Sequence, residues 1–81
     1  MEDWQEKIHL LEEGYQEVFF QERKYGLSKK SFNKGKSVKV YATELGGNNF
    51  ISFNYYCTSS KLVLKPCEMP KSKVIEFLNN I

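Results

Sequence analysis

The chain predicts an α+β domain: an antiparallel meander sheet of five strands with N- and C-terminal helices packed on one face. Three observations predict it. Residues 37–57 alternate apolar and polar side chains on both sides of Gly46-Gly47, which is the pattern of a β-hairpin. Each end of the chain carries an apolar stripe at helical spacing. Between these features lie short aromatic and β-branched runs bounded by turn residues. A four-stranded variant follows if residues 24–32 are irregular.

The first helix is expected over Trp4–Glu13. Asp3 serves as its N-cap, Glu6 stands three residues on, and Gly14 is its left-handed C-cap. Trp4, Ile8 and Leu11 make the apolar stripe, and His9 falls off it as a surface or boundary histidine. Tyr15–Phe20 reads as the first strand and Lys24–Lys30 as the second, joined by a turn at Glu22-Arg23. That turn sets Phe20 opposite Tyr25 and Val18 opposite Leu27. Phe32 does not fit the alternation and marks either a bulge or a cover for the sheet edge. Asn33-Lys34-Gly35-Lys36 makes the next turn.

In the central hairpin, Gly46-Gly47 supplies the positive φ that a tight turn needs. Closing the loop there sets Val38 opposite Tyr55, Val40 opposite Phe53 and Ala42 opposite Ile51. All six then share one face, and a one-residue slip would scatter them. The other face carries Lys39, Tyr41, Thr43, Phe50, Ser52, Asn54 and Tyr56. It is either a solvated sheet back or a binding surface. Thr58-Ser59-Ser60-Lys61 is the following turn, and Leu62–Pro66 the fifth strand. This register sets Cys57 opposite Leu62 and Cys67 opposite Ser52. Pro70 opens the last helix, whose stripe is Val74, Phe77, Leu78 and Ile81.

Composition bounds the function classes. With 81 residues, 41% apolar and 15% aromatic, the chain makes one domain (residues 1–81) with one core. No run approaches the ~20 apolar residues of a membrane span. The acidic amphipathic start is unlike a signal peptide. Two widely spaced cysteines make neither a disulfide framework nor a zinc site, so a cytoplasmic setting with reduced thiols is expected, without metal or cofactor. Net charge is only +2 but unevenly spread. Residues 1–22 hold seven acids against Lys7, while Arg23 to Thr43 holds seven cations and no acid. Such a layout marks an anionic partner, offsets the acidic helix, or guards a strand edge.

Candidate chemistry is sparse. Cys67 precedes Pro70 near the start of the last helix, where the helix dipole and Lys65 or Lys71 lower a thiol pKa, while adjacent Glu68 opposes the shift. Gly35-Lys36-Ser37 imitates the end of a phosphate loop, but Lys30 stands where its first glycine belongs and a strand follows. The carboxylates cluster on the solvated side of the first helix. A non-catalytic interaction module is therefore the leading reading. Its candidate binding residues are Lys34, Lys36, Lys39, Tyr41, Phe50, Asn54 and Tyr56, and its partner is a protein or an anionic ligand such as nucleic acid. Single-stranded nucleic-acid binding on the aromatic face is one alternative. A thiol-dependent reductase acting through Cys67 is the other.

Two strings, GKSVKVYATELGGNNFISFNYY from Gly35 and LKPCEMP ending at Pro70, resemble a small bacterial one-domain family of about this length. Its members are mostly uncharacterised, and some carry a peptide methionine sulfoxide reductase label. The resemblance covers about two thirds of the chain. It implies a thiol nucleophile, for which Cys67 is the candidate. The Gly-Cys-Phe-Trp motif of the A-type reductases is missing. The Arg-Tyr-Cys context of the B-type enzymes is replaced by Asn54-Tyr55-Tyr56-Cys57, with no second cysteine pair. Both reductase classes are larger than this chain.

Overall fold

The computed structural model describes residues 3–57 and 61–81. The chain runs α1 (Asp3–Leu10), β1 (Gly14–Phe20), β2 (Arg23–Phe32), a 3-10 turn (Asn33–Gly35), β3 (Ser37–Glu44), β4 (Phe50–Cys57), β5 (Leu62–Pro66) and α2 (Lys71–Asn79). The five strands lie side by side in chain order, every pair antiparallel. This is the α+β meander that the patterning predicts. The expectations placed on the side chains of Asp3 and Leu62, and on the turn at 58–60, lie outside the described residues.

Both helices cover one face of the sheet. Trp4, Ile8 and Leu11 from the first helical segment and Val74, Phe77 and Leu78 from α2 join Phe20, Tyr25, Leu27, Val38, Val40, Ala42, Ile51, Phe53, Tyr55 and Leu64 in a single core. The central register is as expected: Val38 pairs with Tyr55, Val40 with Phe53 and Ala42 with Ile51. Of the two turn glycines only Gly46 takes the expected positive φ, +83°, which a side chain would resist. Aromatic rings fill the layer between sheet and helices. Phe77 lies 5.0 Å from Phe20 and 5.5 Å from Tyr25, while Trp4 meets Tyr55 edge-on at 6.1 Å. His9 is exposed on one side and sets its ring against Tyr55 at 5.9 Å. A polar clasp closes one end of the core: Lys73 Nζ donates to Asn49 Oδ1, and Asn49 Nδ2 donates to the Tyr25 hydroxyl.

Three expectations are corrected. The first helix ends at Leu10, not Glu13, and Gly14 opens β1. The cause is distant in sequence. Lys29 Nζ reaches up from β2 and donates to the carbonyls of Ile8 (2.7 Å) and Leu11 (2.8 Å). A cation there satisfies carbonyls that the helix end leaves open and lies at the negative end of its dipole. Second, the β1–β2 turn is Gln21-Glu22, both at positive φ (53° and 63°), not Glu22-Arg23. Val18 therefore pairs with Tyr25 and Phe20 with Arg23. The shift is two residues, so every side chain keeps its face. Third, β2 is regular through Phe32, which pairs with Ser37 and marks no bulge.

Among the described residues no helix is long and apolar enough to cross a membrane.

Candidate functional site: the outer face of the sheet

The face away from the helices is assembled from alternate residues of all five strands. The strand pairings place them in rows. Tyr15, Ser28, Tyr41 and Ser52 form one row. It reaches Cys67, whose amide bonds to the Ser52 carbonyl at 2.9 Å. The next row is Lys30, Lys39, Asn54 and Lys65. Beyond it lie Phe32, Ser37, Tyr56 and Val63. On the other side of the tyrosine row stand Glu17, Gly26, Thr43 and Phe50, and past them Phe19 and Lys24. Adjacent strands are ~4.8 Å apart, so the lysine row spans about 14 Å; rows on one face lie ~7 Å apart.

Six exposed large aromatic side chains share this face: Tyr15, Phe19, Phe32, Tyr41, Phe50 and Tyr56. Tyr41 and Phe50 stack with centroids 6.2 Å apart and planes 26° from parallel. Tyr15 leans over Gly26, where an added Cβ would come within 2.6 Å of its hydroxyl. The glycine is what lets that ring lie flat on the sheet. Lys24 and Lys30 sit over the rings of Phe19 and Phe32 at 5.7 and 5.5 Å.

Charge on this face is one-sided. Lys24, Lys30, Lys39 and Lys65 point outward and are exposed, and Glu17 is the only strand carboxylate among them. Glu17 is engaged by Lys24 at 3.3 Å. No carboxylate of the described residues lies within salt-bridge distance of Lys30, Lys39 or Lys65.

The basic segment read from the sequence is thereby divided. Arg23 turns to Glu44 at the sheet end (2.9 Å). Lys29 is withdrawn into the core, where burial pushes its pKa down against the pull of Glu13. Glu13 is itself fixed to β2: the amide and hydroxyl of Ser31 both donate to its carboxylate at 2.9 Å, holding its pKa below the ordinary value. Lys34 and Lys36 are exposed in and beside the 3-10 turn, at the rim of the face next to Phe32 and Ser37. Lys39, Tyr41, Phe50, Asn54 and Tyr56 come together on the face itself. The contributions of β1, β2 and β5 (Tyr15, Phe19, Lys24, Lys30, Phe32 and Lys65) escaped the sequence reading. Their strand parity was the available signal, and it became usable once the β2 register was known.

Cys67 continues the line of β5 opposite Ser52, where the sequence register sets it. It is held by the sheet, and α2 begins only at Lys71 behind Pro70. Its Sγ accepts from Asn54 Nδ2 at 3.9 Å. Both cysteines are free thiols, and Cys57 faces Leu62 as expected.

No protein-family model, curated protein or solved structure matches the chain.

Proposed function

We propose that the chain is a non-catalytic binding module and that its working surface is the outer face of the sheet, turned toward an anionic macromolecule. The observation that carries this reading is the row of exposed lysines, Lys30, Lys39 and Lys65, with no carboxylate of the described residues within salt-bridge distance and with exposed aromatic rings on both sides. Exposed rings that no helix covers offer a contact surface, and the lysines between them set the sign of what it contacts. Lys34 and Lys36 extend the positive rim. The core supplies a rigid support, because each outward residue alternates with one locked beneath the helices.

A column of immobilised heparin tests this reading without naming the natural partner. Lys39→Gln and Lys71→Gln remove the same charge from exposed positions, one on the face and one on α2. Lys39→Gln should elute at clearly lower salt than the parent, and Lys71→Gln close to it. Equal shifts for the two would mean that net charge alone governs retention, and the face would lose its assignment.

A further inference from the structure

We infer that the anionic partner is single-stranded nucleic acid, laid across the strands with its phosphates along Lys30, Lys39 and Lys65 and its bases stacked on the rings that flank that row. This rests on the binding reading above and names its ligand class.

Three features select nucleic acid over an acidic protein. First, the lysines form the fourth of the face's five rows, between Tyr41 on one side and Tyr56 on the other. Protein interfaces deplete lysine among their buried aromatic contacts, whereas a phosphate backbone requires cations beside the rings that stack its bases. Second, Tyr41, Tyr56 and Phe32 keep about two fifths of their surface in solvent. They lie one row, ~7 Å, from the lysines, so a base leaving a phosphate bound to Lys39 can reach a ring on either side. Base–ring stacking is indifferent to sequence and needs no pocket. Third, the face is built from strands alone, with no helix crossing it to enter a duplex groove. Stacking on such a platform requires unpaired bases. Asn54 lies within the lysine row; its Nδ2 donates to Cys67 Sγ, and its Oδ1 is the atom that can accept from a base edge. A second copy of this chain is a poor occupant, because two such faces carry the same one-sided positive charge.

Fluorescence anisotropy with labelled single-stranded DNA and RNA oligonucleotides, titrated across salt, tests the assignment. Three phosphate contacts give a slope of log K against log salt near −2, and Lys39→Gln should make it shallower by about 0.7. Tyr41→Ala and Tyr56→Ala should each weaken binding about 10-fold and leave the slope unchanged. Tyr41→Leu keeps the bulk of the side chain and should weaken binding similarly, while Tyr41→Phe should not. Thermal unfolding of each variant verifies that the fold is retained. Binding of either nucleic acid in this pattern supports the inference.

Several outcomes overturn it: no binding at low salt, polyglutamate competing as well as an oligonucleotide, or a ring-independent affinity. Heparin retention that depends on Lys39, combined with any of these, would leave the binding module standing without nucleic acid as its ligand.

Discussion

Tyr55 and Tyr56 are neighbours on β4 and occupy opposite environments. Tyr55 is 1% exposed, wedged against Trp4 and His9 under α1. Tyr56 is 36% exposed on the bare side of the sheet. Lys29 and Lys30 repeat the contrast on β2. One is 9% exposed and caps a helix; the other stands in the outer lysine row. The two faces thus draw on the same residue types. What separates them is the presence of a covering layer. Inner rings have partners at 5–6 Å in α1 and α2, so their area is removed from water. Outer rings have only lysine side chains over them (Lys24, Lys30 and, from α2, Lys73) or a neighbouring outer ring beside them, and they keep a third or more of their surface in water. The fold hides one aromatic face and displays a second, and stability and binding should separate along that division.

The sharpest break comes from truncating one ring on each side. Phe77→Ala removes a fully buried ring that touches Phe20 and Tyr25 and should cost about 3–5 kcal/mol. In so small a domain that approaches the whole stability. Phe19→Ala, on the outer face, should cost about 0.5 kcal/mol or less. Urea midpoints measured on the two variants would decide. Comparable losses would mean that the outer rings are part of the core.

Adjacent lysines give the next test. Lys29→Met strands the Ile8 and Leu11 carbonyls and should cost about 2 kcal/mol, read as a lower melting temperature. Lys30→Met should leave melting nearly unchanged. A smaller effect is expected at the adjacent tyrosines. The Tyr55 hydroxyl is buried without a hydrogen-bond partner among the described residues. Burial, then the neighbouring Cys57, raises its pKa. Tyr55→Phe should therefore stabilise by up to about 1 kcal/mol, and Tyr56→Phe should do nothing measurable. A loss on Tyr55→Phe would reveal a partner for that hydroxyl.

The smallest expected effect is a pH dependence. Glu13 is lowered from its ordinary 4.5, chiefly by the Ser31 amide, so its contribution is complete above that value. It is lost as pH falls through the folded pKa, because the unfolded chain then takes up the proton first. Glu13→Gln should flatten acid unfolding in that window. An unchanged acid limb would show the Ser31 contacts to be without thermodynamic weight.

Sequence reading reached the sheet interior more easily than its boundaries. The β3–β4 register was legible because the glycines mark the turn, Gly46 at positive φ, and six apolar residues agree on one face. The β1–β2 register was not. Gln21 and Glu22 adopt positive φ without glycine or asparagine to announce it. The end of α1 was hidden for another reason: the side chain that ends it, Lys29, lies 18 residues beyond Leu11. The outer surface was half legible. Lys39, Tyr41, Phe50, Asn54 and Tyr56 follow from alternation within one hairpin. Adding Tyr15, Phe19, Lys30, Phe32 and Lys65 needs the pairing of the flanking strands. A lysine row is a property of register between strands, and no single segment displays it.

The most direct test of the account is a proton–carbon NMR titration that follows aromatic rings and lysine side chains as a single-stranded oligonucleotide is added. Each face carries the other's control. The account predicts shifts at Lys30, Lys39, Lys65, Tyr41, Phe50 and Tyr56, with Lys29, Tyr25, Phe53, Tyr55 and Phe77 unmoved. Shifts at Lys7, Lys71 and the helices with a silent outer face, or no shifts at low salt, would contradict it.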